Sequence, residues 1–256
     1  MKQPQHIDRL LKEWSYEPGE VLARRVRVDD DRDVLQMRID MGLLQMEVDG
    51  RPDGSLPEGF VTYLDYLQAA EHTEGEDFEL DDTRCLEVDR EFVQFYHRRI
   101  CWLALKDYDR AVQDADHTLT LMDFSSVHAP HEEWALSHEQ YRPFVLFHRV
   151  QAAALAALNE DGPEKALDEV EGGLATMRSL FAQYGADEED LEEDELVRRL
   201  LEVRDSLRKQ FNVGPSLTEQ LSAAVASEQY ELAARLRDEI ERRKTGVRQD
   251  APRVDE

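Results

Sequence analysis

The sequence predicts a mainly α-helical protein with one small antiparallel β meander near its N-terminus. Two observations support this fold class. Between residues 21 and 48, apolar and polar residues alternate along the chain, which is the period of a half-buried strand. From residue 57 onward, apolar residues instead recur every three or four positions, the period of an amphipathic helix.

The composition is strongly acidic. The chain has 256 residues, with 31 Lys and Arg against 57 Asp and Glu, so its formal net charge is −26. This length is enough to bury a core without disulfides or a structural metal. The charge repels nucleic-acid phosphates and anionic membrane surfaces, so we expect neither direct nucleic-acid binding nor a membrane partner.

Cysteine usage and hydropathy place the protein in a reducing compartment. Cys85 and Cys101 lack the CxxC spacing of a zinc site or disulfide framework. The first residues contain no apolar stretch like a signal peptide, and the most apolar run, 152–158, is too short to cross a membrane. We expect a cytoplasmic protein without a cofactor.

The N-terminal region divides into a short amphipathic helix (1–16) and the meander (17–56). Two turn compositions, Asp29–Asp31 and Gly50–Gly54, separate or follow the strand patterns. Three strands are about the minimum that is stable, so one face must lie on a helix or on a second copy of the protein. Arg51, in the second turn, is a partner contact only if it is exposed.

A helical body spans residues 57–185. After a first apolar stripe, the stretch 71–82 contains seven acids and no Lys or Arg, which predicts a solvated linker. Four long helical patterns follow, with a loop and one short helix expected between the second and the third. These patterns cover residues 84–105, 107–123, 140–159 and 163–184.

Part of this body is similar to tetratricopeptide repeats. Trp102, Tyr108, Ala111 and Ala115 stand where such a repeat has its aromatic and small residues, and Ala166 occupies the position of Ala111 in a looser second copy. The resemblance implies antiparallel helix pairs in close contact. The copies lie 55 residues apart rather than about 34, so an ordinary helical bundle stays open.

Residues 187–212 are predicted to form a coiled-coil linker helix. Eight of the nine residues from Asp187 to Glu195 are acidic, which suits an exposed helix N-terminus. A seam with spacings of 4, 3 and 4 follows. It consists of Leu196, Leu200, Val203 and Leu207.

The sequence gives only a weak signal for catalytic or metal-binding residues. His128, His131, Glu132 and His138 are spaced as zinc ligands could be, but the HExxH pattern is absent, so we interpret them as surface histidines. Cys101 stands in an apolar helix and is interpreted as a core residue. The sequence therefore predicts neither a metal site nor catalytic residues, and we expect that the protein is not an enzyme.

A helical hairpin is predicted over residues 215–246, followed by a disordered tail over 247–256. Ser216 and Glu219 have the spacing of a capping box, so the first helix begins at Leu217. The second helix begins at Tyr230, and two helices with so short a connection pack antiparallel.

This hairpin resembles the UVR domain, the UvrB/UvrC motif. Residues 217–240 read L-T-E-Q-L-S-A-A-V-A-S-E-Q-Y-E-L-A-A-R-L-R-D-E-I, which fits the motif at thirteen positions. The resemblance implies a hairpin that associates with another protein, often through a second such hairpin. It assigns the partner surface to Leu217, Leu221, Val225, Tyr230, Glu231, Leu232, Leu236, Arg237 and Ile240.

The sequence lacks the catalytic and metal-binding motifs of other proteins that contain a UVR domain. It has neither the phosphate-binding loop of the excision-repair helicase subunit, nor a recognisable nuclease motif, nor the paired CxxC zinc sites of the kinase activator. The resemblance therefore implies only the docking hairpin. We therefore predict a non-enzymatic protein–protein interaction adaptor, with a homodimer as one option. The alternatives are an accessory factor of nucleotide excision repair, at DNA or with the excision nuclease complex, and a hairpin that packs only on its own chain.

Overall fold

The computed structural model describes residues 6–185, 187–215 and 217–247, and it confirms the mainly helical fold with one small sheet. Ser216 of the predicted capping box and the predicted tail from residue 248 lie outside these ranges. The elements are α1 (Asp8–Glu13), β1 (Leu22–Arg27), β2 (Asp33–Ile39), β3 (Gly42–Glu47), α2 (Tyr63–Glu74), α3 (Asp82–Leu105), α4 (Tyr108–His128), α5 (Glu132–Glu139), α6 (Arg142–Glu160), α7 (Pro163–Gln183), α8 (Glu188–Glu193), α9 (Glu195–Phe211), α10 (Leu217–Ala226) and α11 (Tyr230–Val247).

The sheet has the strand order β1-β2-β3, and both strand pairs are antiparallel. Leu35, in the central strand, is paired with Met46 of β3 and is completely buried. Together with Cys101, Trp102 and other residues of the helices it forms one core cluster, so helices cover this face of the sheet. Burial raises the pKa of the Cys101 thiol to about 12, as expected of a core cysteine.

The Gly50–Gly54 turn is clamped onto the helical body. Arg51 is only 4% exposed, and its guanidinium lies 2.7 Å from Glu87 and 3.3 Å from Glu91, both in α3. The option that Arg51 contacts a partner, which required an exposed side chain, is therefore wrong.

Two helical pairs, α3/α4 and α6/α7, form the centre of the body, and α4 also packs against α6. Small residues stand at these contacts, where they let the helix axes approach closely. Ala111, Ala115 and Ala166 are completely buried, and Gly173 of α7 faces Val150 of α6.

The acidic stretch 71–82 differs from the predicted solvated linker. Helix α2 continues to Glu74, and Phe78 and Leu80 are buried in a cluster with residues of α2 and α3. The acids face outward while these two apolar residues, two positions apart, face inward. The segment is a short connection anchored in the core. Its few apolar residues are buried there, although most of its residues are acidic.

Helix α9, which lies in the predicted coiled-coil linker, packs against the helical body. Its residues Val197, Leu200 and Leu207 are buried in one cluster with Leu174 and Met177 of α7. The seam therefore finds its partner within the same chain, and α9 is part of the helical body. Within the ranges that the structure describes, every helix is too short or too polar to cross a lipid bilayer.

Candidate functional site

The two C-terminal helices, α10 and α11, fold back on each other through a tight turn. The backbone N–H of Gln229 donates to the carbonyl of Ala224 at 2.8 Å, and that of Glu228 donates to the carbonyl of Val225 at 3.0 Å. Glu228 has a φ of +57°, the left-handed conformation that often follows a helix C-terminus. These bonds satisfy carbonyls at the end of α10 and reverse the chain.

The inner face of the hairpin is closed by small and branched side chains. Ala224, Ala233 and Leu236 are buried against one another, and Leu217 and Leu221 pack partly buried against them. Three of the predicted partner residues, Leu217, Leu221 and Leu236, thus lie in the hairpin's own core, where they hold its two helices together.

An apolar tip remains on the outside of the turn; we define it as Val225, Tyr230 and Leu232. Their exposed fractions are 51%, 68% and 43%, and the three lie within eight consecutive positions. A shallow pocket of about 450 Å³ lies beside Tyr230 and Leu232, and Arg235 contributes to its wall. An exposed apolar group of this kind is typical of a surface that binds another protein.

The remaining predicted partner residues lie on the surface of α11. Glu231 and Arg237 are exposed, and Ile240 is half-buried. The Arg237 guanidinium lies 3.2 Å from Asp238, its neighbour in sequence. The hairpin therefore presents one apolar group at its turn and mixed charges along its second helix.

An ionic latch joins the hairpin to the body; we define it as Arg208, Glu171 and Glu219. Arg208 of α9 lies 3.1 Å from Glu171 of α7 and also contacts Glu219 of α10. Burial, together with the nearby Glu219 carboxylate, raises the pKa of Glu171. One guanidinium therefore holds two carboxylates from two different parts of the fold. This latch could not be predicted from the sequence, because its three residues lie in three different helices and their spacing shows no helical pattern.

Replacing Arg208 with alanine is expected to loosen the hairpin from the body while both stay folded. Without its guanidinium, the carboxylates of Glu171 and Glu219 repel each other across the junction, and Arg204, 3.9 Å from Glu171, offsets only part of this repulsion. Spin labels on exposed positions of α7 and α11 should give a broader distance distribution by electron paramagnetic resonance. Arg199→Ala is the matched control, since Arg199 pairs with Glu195 one turn away on the exposed side of α9. Equal distributions for both variants would show that Arg208 does not hold the hairpin.

The hairpin geometry coincides with a known sequence family. Residues 215–244 match the UvrB/uvrC motif. The match spans α10, the turn and most of α11, which we call the UVR hairpin from here on. No curated protein and no solved structure shows significant similarity to the chain. The tetratricopeptide-like and coiled-coil interpretations have no family match and stay predictions.

The candidate zinc ligands are held apart in the structure. His128 lies 3.0 Å from Glu71 of α2. The interpretation of His138 as a surface residue is wrong, because its side chain is buried and lies 2.9 Å from Asp89 of α3. His131 caps the start of its own helix, α5. In the part of the chain that the structure describes, no three His, Cys, Asp or Glu side chains are grouped to hold a metal ion.

Proposed function

We propose that the protein is a non-enzymatic adaptor that docks another protein through the UVR hairpin. The observation that carries this proposal is the exposed apolar tip of Val225, Tyr230 and Leu232 on a hairpin whose core is already closed. These three side chains lie outside the buried cluster that joins α10 and α11. Their removal from water on binding is the driving force that the proposal assigns to them.

Tyr230 is the expected anchor of this interface. Tyrosine is enriched among residues that dominate binding energies, because its ring buries a large area and its hydroxyl group finds a polar partner. A two-helix hairpin buries about 600 Å² on each side, which is at the low end for a specific complex. Reversible binding at micromolar concentrations follows, and two copies acting together would strengthen it.

A protein partner fits the charges of the hairpin better than DNA does. Arg237 lies beside Asp238, and Arg242 lies 2.6 Å from Glu239, so these guanidinium groups are already next to carboxylates. Binding to a nucleic-acid backbone needs a basic surface. These paired charges therefore favour a protein partner over DNA, and a matching UVR hairpin is one candidate.

The substitution Tyr230→Ala is expected to reduce partner capture at least tenfold without changing the circular dichroism spectrum. The side chain is largely exposed, so its loss leaves the hairpin core intact. The measurement is affinity purification of the full chain from its native cells with quantitative mass spectrometry. Met41→Ala, at the 90% exposed tip of the β2–β3 turn, is the control and should capture the partner normally.

Two outcomes would contradict the proposal. Equal capture by the Tyr230→Ala variant and the wild type would move the interface away from the tip. A gel shift with duplex DNA at low salt that persists in Tyr230→Ala would instead support action at DNA. The adaptor function predicts no shift even at low ionic strength, because the chain carries a net charge of −26.

A further inference from the structure

A second apolar surface lies far along the chain from the UVR hairpin. It is a groove of about 690 Å³ between α5, the start of α6 and the last turn of α7. Leu180 and Phe181 of α7 and Pro143 of α6 line it, and Leu136 and Tyr184 stand at its edges. Its volume is within the range of ligand pockets, and its lining is mainly apolar.

The edges of the groove remain in contact with water. Leu136 is 48% exposed and Tyr184 is 62% exposed, although both are large apolar side chains. Tyr184 lies just beyond the end of α7, so its ring contributes little to the core cluster beneath that helix. Such side chains around a concave surface are typical of a binding site rather than of a stabilising core.

The electrostatic surroundings of the groove are negative. Helix α7 ends here with no basic residue in its last turn, so the partial negative charge of its C-terminal carbonyls is not offset by its own side chains. Glu133 lines the groove from α5. Two residues after Gly185, the chain enters the acidic run 187–195. Glu139 also lines the groove, but it is held by Arg142 at 2.5 Å.

We propose that this groove is a second docking site, and that its occupant is a protein segment with bulky apolar residues flanked by Lys or Arg. The apolar side chain would enter between Leu136 and Tyr184, and the cationic groups would meet Glu133 and the end of α7. The occupant needs an apolar side chain because the lining of the groove offers few polar partners. It needs flanking Lys or Arg because Glu133 and the C-terminal end of α7 favour positive charge. The residues that line the groove lie outside the UVR hairpin, so the two surfaces are distinct.

Three synthetic peptides with the same helical pattern test this assignment. The first combines Leu on one face with Lys on the other, the second replaces Leu with Ser, and the third replaces Lys with Glu. Each is labelled with a fluorophore and titrated with the full chain at 150 mM salt, and anisotropy is measured. We expect the Leu/Lys peptide to bind at least tenfold more tightly than either of the others.

Variants of the full chain locate the peptide. Tyr184→Ala and Glu133→Lys should each weaken Leu/Lys binding about tenfold. Tyr230→Ala and Glu17→Lys should leave it unchanged, because Tyr230 belongs to the hairpin and Glu17 is an exposed acid near the sheet. The Glu17→Lys variant has the same net charge as Glu133→Lys, so it controls for general attraction to an acidic protein.

The outcomes separate the groove from the hairpin. Unchanged binding by Tyr184→Ala, or equal losses for Glu133→Lys and Glu17→Lys, would show that charge alone attracts the peptide and would overturn the docking site. Loss of binding in Tyr230→Ala would place the peptide on the apolar tip. That result would also overturn the groove assignment, but it would leave the adaptor function intact. Circular dichroism of each variant verifies that the fold is kept.

Discussion

The substitution Glu91→Ala should lower the free energy of unfolding by about 3–5 kcal/mol, the loss typical of breaking a buried ion pair on one side. Glu91 is completely buried in α3. Its carboxylate lies 3.3 Å from the guanidinium of Arg51 and 2.9 Å from the ring of His117. Alanine would leave the buried Arg51 without one of its two nearest carboxylates. Glu87 would remain 2.7 Å away, so the loss should fall at the lower end of the range.

Glu91 also accepts hydrogen bonds from the start of α2. The backbone N–H groups of Tyr63 and Leu64 donate to its two oxygens at 2.6 and 3.0 Å. These donors have no partner within the helix, and a carboxylate at a helix N-terminus also interacts favourably with the helix dipole. One side chain of α3 therefore joins α2, α4 and the turn after the sheet.

Urea denaturation followed by circular dichroism measures this effect. Glu91→Gln should lose less stability than Glu91→Ala, because its amide oxygen still accepts a hydrogen bond. Glu195→Ala is the surface control, since its pair with Arg199 is exposed and such pairs contribute little. If Glu91→Ala unfolds at the same urea concentration as Glu195→Ala, the buried network does not determine the stability of this region.

The periodic elements could be predicted from the sequence because each is determined locally. The alternation around residues 34–40 predicted a strand where β2 lies, and the helical pattern of 163–184 predicted α7 to within one residue. In both cases one face is apolar over several turns or pleats, so the chain satisfies its backbone and its core with the same conformation. The predicted half-burial of β2 was wrong, however, because Gln36 and Arg38 on its polar face are also buried. The predicted reversal between residues 226 and 230 was confirmed as the turn of the UVR hairpin.

Contacts between distant segments could not be predicted in this way. The turn composition around Arg51 indicated a reversal, yet its partner Glu87 lies 36 residues later and shares no pattern with it. Average charge was also misleading for the stretch 71–82, because Phe78 and Leu80 alone decide that it is anchored. Composition reports the environment of most residues in a segment, whereas burial depends on the few that reach the core.

The candidate site was predicted as a segment but not as a surface. Leu221, Leu232 and Leu236 are all apolar residues of the same hairpin. The sequence pattern alone therefore does not tell which of them contacts a partner. The structure separates them: Leu236 lies in the hairpin core, Leu221 packs against it and Leu232 is exposed. Which face closes the hairpin depends on the rotation of α10 against α11, and that rotation is set by the small residues Ala224 and Ala233.

Opposite effects on stability are expected from alanine at two adjacent glycines of α7. A Cβ atom on Gly173 would lie 2.2 and 2.5 Å from the two methyl groups of Val150 in α6, so α6 and α7 would have to separate. Overpacking of this kind costs about 1–3 kcal/mol, which exceeds the gain of about 0.5–1 kcal/mol from replacing a helical glycine. At Gly172 a Cβ atom meets no atom within 4 Å, so only the gain remains.

Thermal and urea unfolding of Gly173→Ala, Gly172→Ala and the pair Gly173→Ala/Val150→Ala distinguish close packing from helix propensity. If close packing decides the outcome, the Val150→Ala change removes the overlapping methyl groups, and the double variant loses less stability than the sum of the two single losses. A stabilised Gly173→Ala variant would mean that α6 and α7 lie farther apart than in this structure. The close contact of these helices therefore depends on one missing methyl group at the buried Gly173, and the exposed Gly172 beside it provides the control for helix propensity in the same helix.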